Sequence, residues 1–190
     1  MDIRVEQTEI RDVVVLHHDQ FHDARGFFME VYRQDLFKEA GLPTSYAQVN
    51  HSQSTRGVVR GLHFQWEPPM GKLMRVIAGS AFLVAVDIRK GSPTLGKWFG
   101  TELTAKDGRQ LWAPAGFARG FCVTSESAEI EYLCTGCYNA KAESGVLWND
   151  PAIGITWPIT DPTLSDKDKK AQTLAAWLES ADSSQFTYGG

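Results

Sequence analysis

The feature that most limits the fold of this chain is a succession of short, strand-like runs punctuated by turn residues. The runs cover 11–17, 27–32, 46–53, 58–64, 73–79, 81–88, 97–103, 109–112, 117–123 and 128–136. Between them stand Gly79-Ser80, Gly91-Ser92-Pro93, Asp107-Gly108 and Pro114-Ala115-Gly116, residue types that supply turn dihedrals at little cost. Runs recurring every ~8–12 residues, with little helical periodicity between them, predict a sandwich or jelly roll. Helical signals are confined to 34–40, ended by Gly41 and Pro43, and to 165–179, where one or two helices close the chain. The expectation is an all-β jelly-roll domain over residues 1–182, with short helices mainly near the C-terminus and a loose tail over 183–190.

Composition removes several function classes. With 43% hydrophobic and 22% charged residues among 190, the chain can bury one substantial core, so disorder is not expected. A net charge of −4 argues against a nucleic-acid surface but permits a local arginine cluster that holds one small anion. The longest apolar stretch, 76–86, is interrupted by Gly79 and Ser80 and is too short to span a bilayer. The first seven residues lack the apolar core of a signal peptide, and three cysteines, an odd count, point to a reducing cytoplasm. Cys134 and Cys137 form a Cys-x-x-Cys pair, but no second pair exists and 128–138 reads as a strand, so both are read as small core residues.

The run Gly57–Gln65 places a guanidinium, Arg60, three residues before an imidazole, His63. On a regular strand the two would face opposite ways, because side chains alternate. A bulge at Gly61 would bring both to one pocket; otherwise Arg60 is an edge charge. His63-x-Gln65 followed by Gly79, and Pro114-x-Gly116-x-x-Arg119, resemble the two signatures of the cupin superfamily. Where that superfamily normally places metal-binding histidines, this chain has Gln65 and Arg119. A guanidinium offers no free lone pair, and one imidazole is not a metal site, so no metal is expected. The fold expectation sharpens to a cupin-type jelly-roll barrel.

A metal-free pocket needs side chains that move protons and hold charge. Candidates are His63, Lys72, Tyr132, Tyr138 and the Lys167-Asp168 pair, with arginines at 25, 60 and 119. A histidine backed by a carboxylate is an oriented base, a tyrosine can return a proton from the other side, and a lysine can hold an enolate oxygen. Together they suit proton abstraction alpha to a ketone. Arginines on turns and strand ends suit a diphosphate. Each residue alone also has an ordinary structural reading.

Longer ordered stretches carry a resemblance. Asp23-x-Arg25-Gly26-x-Phe28-x-Glu30, Gln48-Val49-Asn50-x-Ser52, Gly57–Gln65, Gly71-Lys72, Val86-Asp87-Ile88-Arg89-x-x-Ser92-Pro93-Thr94, Pro114-x-Gly116-Phe117-Ala118, Trp148-Asn149-Asp150-Pro151 and Leu164-Ser165-x-Lys167-Asp168 closely resemble the dTDP-4-dehydrorhamnose 3,5-epimerase family. The resemblance implies a homodimeric, cofactor-free epimerase that acts on dTDP-4-dehydro-6-deoxyglucose. It implies His63 as base oriented by Asp168, Tyr132 as acid and Lys72 as the enolate's cation. It further implies that Arg25, Glu30, Gln48, Asn50, Arg60, Arg119, Glu143 and Lys167 contact the substrate and that Tyr138 stacks on the thymine. In the family the Arg25–Glu30 segment reaches into the partner's site. The family usually has histidine where this chain has Arg119, a departure that bears on specificity more than on chemistry. The alternatives are an epimerase acting at one carbon of a related nucleotide 4-ketosugar, or a non-catalytic sugar-nucleotide binder.

Overall fold

Two antiparallel sheets, described over residues 2–189 in a computed structural model of the chain, take up most of the strand-like runs. The six-stranded sheet has the order β1 (Ile3–Gln7), β2 (Val14–His18), β10 (Arg109–Ala113), β7 (Lys72–Ala78), β12 (Ser127–Cys134), β5 (Gln48–Thr55). The five-stranded sheet has the order β13 (Glu143–Gly145), β6 (Val59–Gln65), β11 (Phe117–Val123), β8 (Ser80–Asp87), β9 (Trp98–Thr104). A hairpin of β3 (Phe21–Asp23) and β4 (Gly26–Phe28) belongs to neither. The helices are short: α1 (Gln34–Glu39), α2 (Asp166–Lys169), α3 (Leu174–Glu179) and a 3₁₀ turn at Ala181–Gln185.

Period-two alternation decides what each sheet buries. Met74 and Val76, Leu83 and Ala85, Phe117 and Phe121, Ala128 and Ile130 form one core with contributions from both sheets. The alternate residues are covered as well. Leu62, Phe64, Val84, Val86 and Ala118 pack against Leu174, Trp177 and Phe186 of the C-terminal region. Val14, Leu16, Leu73 and Trp112 pack against Phe37 of α1. Burial on both faces explains why every residue of β11 is inside, and why this strand reads as apolar apart from Arg119. An arginine in such a strand is a signal in itself, since charged side chains rarely enter a core unpaired.

Three expectations need correction. The run 27–32 is a strand only through Phe28, because among the described strands β4 pairs with β3 alone, over Gly26–Phe28. Cys137 is exposed, and only Cys134 of the Cys-x-x-Cys pair is in the core, since β12 ends at Cys134 and the chain then turns outward. The loose tail over 183–190 is docked in its described part; Gly190 lies outside the described residues. Phe186 is buried, with ring centroids 6.2 Å from Phe64 and 6.1 Å from Trp177, and the Tyr188 amide donates to the Lys90 carbonyl at 2.9 Å. One aromatic anchor, worth ~1.5–3 kcal/mol when buried, ties down a segment whose composition is otherwise that of a tail.

Candidate active site

The polar end of the barrel begins with an irregularity in β6. Opposite β11, His63 pairs with Arg119, but Arg60 pairs with Phe121, so three residues of β6 span two of β11. The extra residue is a bulge, and it puts Arg60 and His63 on the same face. Gly61 makes it possible: its φ is +138°, and a Cβ there would come within 2.6 Å of the Gly120 Cα. Cross-strand register then adds the neighbours. Lys72 continues the inward row of Met74 and Val76, Tyr132 the row of Ala128 and Ile130, and Arg119 the row of Phe117 and Phe121. Two small adjoining cavities, ≈ 150 and ≈ 110 Å³, share His63, Lys72 and Tyr132 as walls.

His63 Nε2 lies 2.6 Å from Asp168 Oδ1. An ionised carboxylate only accepts, so the ring proton sits on Nε2 and Nδ1 is left as the basic nitrogen. Burial pushes the Asp168 carboxyl up, yet His63, the Ser165 hydroxyl and the Gly61 backbone together outweigh it and hold the group below its usual value. Ser165 positions it: its hydroxyl caps α2 by accepting from the Asp168 amide at 3.1 Å. The sequence marker Ser165-x-x-Asp168 is a helix-start signal that would have identified Ser165 as part of the site. Lys72 stands over the Tyr132 ring at 5.3 Å, and burial together with the nearby Arg119 charge lowers its ammonium to about 8. Burial raises the Tyr132 phenol, which keeps it a proton donor at neutral pH.

The remaining candidates divide by position. Gln48 donates to Asn50 Oδ1 at 2.8 Å and accepts from the Tyr138 amide at 2.8 Å, and all three residues line the larger of the two cavities. Glu143 is gripped by Lys167 at 2.5 and 2.6 Å and accepts from the Tyr138 hydroxyl at 3.2 Å, at a mouth where Tyr138 is exposed. Arg60 donates to Ser54 Oγ at 3.0 Å. Gln65 is fully committed to backbone, donating to the Pro68 and Cys137 carbonyls and accepting from the Asn139 amide. It pins the loop after β6, a structural task at one of the two positions where a cupin normally carries a ligand. Arg25 and Glu30 are not brought to the cavity within one chain. Arg25 pairs with Asp23 in its own hairpin, and Glu30 pairs with Arg33.

A larger groove of ≈ 840 Å³ lies elsewhere, walled by Val5, Trp112, Pro114, Phe186 and neighbours. Its one carboxylate, Asp12, is tied to Arg89 at 2.8 Å, and no lysine, histidine or tyrosine joins it, so it lacks an acid/base set. Volume alone does not mark the chemistry here.

Fold and polar end together define a cupin-type barrel built for acid/base chemistry, with no cluster of three metal-binding side chains among the described residues. The model of the family described as dTDP-4-dehydrorhamnose 3,5-epimerase matches residues 7–176, and the chain belongs to that family. A Shigella flexneri protein named dTDP-4-dehydrorhamnose 3,5-epimerase is 52% identical over 90% of this chain and 95% of its own length. A Neisseria gonorrhoeae protein of the same name is 51% identical over 92% of this chain, which spans 53% of that longer relative. Among solved structures, the Legionella pneumophila dTDP-6-deoxy-D-glucose-3,5-epimerase in complex with dTDP-4-keto-L-rhamnose superposes with a TM-score of 0.90. It is 39% identical, over 95% of this chain and 96% of its own.

Proposed function

We propose that the chain inverts carbons 3 and 5 of dTDP-4-dehydro-6-deoxy-D-glucose to give dTDP-4-dehydro-L-rhamnose, a step of dTDP-L-rhamnose biosynthesis. The observation that carries the reading is that His63, hydrogen-bonded to Asp168 behind it, shares the cavity walls with Lys72 and Tyr132. Both carbons are alpha to the 4-keto group. His63 Nδ1 takes the proton, the bonding electrons move onto the keto oxygen, and Lys72 stabilises the enolate in a water-poor site. Tyr132 then delivers a proton to the opposite face, and the carbonyl re-forms. Only protons move, so the reaction calls for no redox cofactor.

Arg60, Gln48, Asn50, Glu143, Lys167 and Arg119 hold the nucleotide sugar in this reading, with Tyr138 against the thymine. Arg25 and Glu30 join them from a second copy. Support for a homodimer comes from the β3–β4 hairpin, which exposes Phe21, Phe27 and Phe28 at 50%, 49% and 59% beside Arg25. A cytoplasmic setting fits three free cysteines and the absence of any described helix long and apolar enough to cross a membrane.

A second reading, inversion at a single carbon, draws on the buried Arg119 that replaces the usual histidine. Incubation with the ketosugar in deuterated water separates the two. Label at both carbons is the expected result, label at one selects the second reading, and no label removes the enzyme reading altogether.

A further inference from the structure

We propose that Arg119 is a second cation for the oxyanion at the reacting centre, acting with Lys72 on the enolate and leaving the diphosphate to other residues. The inference rests on the epimerase reading above and gives one of its residues a different task.

Arg119 is only 3% exposed and sits directly across the ladder from His63. One end of its guanidinium is clasped: Nη1 donates to the carbonyls of Met70, Pro114 and Ala113 at 2.7, 3.1 and 3.4 Å. These carbonyls come from the loop after β6 and the end of β10, so the planar group is fixed from two sides. The other donors, Nε and Nη2, are buried and have no partner among the described residues. A buried polar donor left unpaired costs ~1–3 kcal/mol, more when charged, and a catalytic role is one of the recognised reasons a native protein keeps one.

The acceptor is not a carboxylate of this chain. Among the described residues no acidic side chain pairs with Arg119 or with Lys72, because the two carboxylates nearby are already engaged, Asp168 by His63 and Glu143 by Lys167. The smaller cavity is therefore lined by Arg60, Lys72 and Arg119 with no balancing anion. Burial lowers the Arg119 guanidinium to about 10, which still leaves it charged at neutral pH. An anion held beside His63 and Lys72 is the oxygen next to the carbon that loses its proton. The diphosphate, by contrast, is a large group for which exposed cations at the mouth, Lys167 and Arg60, are better placed.

The groups facing Lys72 are Arg119 on β11, Tyr132 and Cys134 on β12, Arg60 and His63 on β6, Glu143 on β13 and Lys167 on α2. Of these Arg119 is the strongest like charge, so neutralising it has a second visible consequence, a rise in the pH at which Lys72 loses its proton.

The test uses the full chain with Arg119→Gln, Arg119→Lys and Arg119→His. It follows solvent deuterium exchange into the ketosugar across pH, and separately the binding of dTDP, which has the base and diphosphate but no sugar. Arg119→Gln is expected to lower exchange turnover by ~10²–10³-fold with dTDP affinity unchanged. It is also expected to move the alkaline limb upward, while Arg119→Lys recovers part of the turnover. Loss of dTDP affinity, with or without loss of turnover, overturns the proposal in favour of a diphosphate contact. Unchanged turnover, affinity and alkaline limb, with only a lower melting temperature, overturns it in favour of a backbone clasp. If Arg119→Gln does not fold, Arg119→His, carrying the family's usual residue, is read by the same criteria. Absence of exchange in the unsubstituted protein sinks the epimerase reading instead, so the two failures are distinct.

Discussion

The barrel's polar end and the β3–β4 hairpin carry similar residues in opposite states. In the barrel, two of the candidate side chains are held by elements distant in sequence: His63 by Asp168 across 105 residues, Glu143 by Lys167 across 24. In the hairpin, Arg25 is held only by Asp23, two residues away, and the phenylalanines beside it face solvent. A proton carrier must be held to within about half an ångström of its productive position, which requires neighbours that cannot move independently. In the proposed reading Arg25 serves a second copy, and such a side chain must stay presented. In the same reading the proton-transfer groups lie together in one chain, whereas Arg25 and Glu30 lie apart from the cavity and pair within their own segment.

The comparison breaks most visibly at the barrel. His63→Ala is expected to abolish deuterium exchange, a loss of at least ~10³-fold by NMR. Residual exchange equal to that of the native protein would remove the base. Lys72→Met should cost ~10²–10³-fold in the same assay. The native rate should fall as pH rises through about 8, because the ammonium is present below that value and lost above it. A rate that climbs steadily to pH 10 would mean that Lys72 works uncharged or not at all. Tyr132→Phe should lower product formation by ~10²-fold while initial exchange survives, since proton removal does not use the phenol. Equal losses in both would place Tyr132 in the first step.

At the hairpin the expected effects are smaller and of a different kind. Arg25→Ala should weaken dTDP binding about tenfold, the worth of one charge-assisted hydrogen bond, without altering the melting temperature. Phe28→Glu should shift the sedimentation of the chain toward monomer and weaken dTDP binding in parallel. A monomer that binds dTDP as tightly as the native protein would show that one chain carries the whole clamp.

Much of the fold was readable from local pattern. The runs read at 46–53, 58–64, 73–79, 81–88 and 117–123 announce themselves by alternation or by continuous apolarity between turn residues, and the structure has strands there within two residues at each end, while Gly41 and Pro43 mark the end of helix α1. What escaped was set by distant partners. β1 and β13 are polar and short, and they exist because β2 and β6 offer free edges. Phe186 gives no local sign that it will meet Trp177. The site was legible in its residue types, but not in its geometry: alternation alone left Arg60 and His63 on opposite faces, and only the pairing with β11 reveals the extra residue at Gly61.

The sequence by itself determined the class of fold, the residues capable of acid/base work and the family, because these depend on side-chain chemistry and on periodicities of a few residues. Tertiary structure was needed to decide that His63 leans on Asp168 through Nε2, that Gln65 is spent on backbone, and that Arg119 is clasped at one end and, among the described residues, unpartnered at the other. Those outcomes are set by which strands share a ladder and in what register, and register is decided by the packing of both sheets at once. No nine-residue stretch contains it.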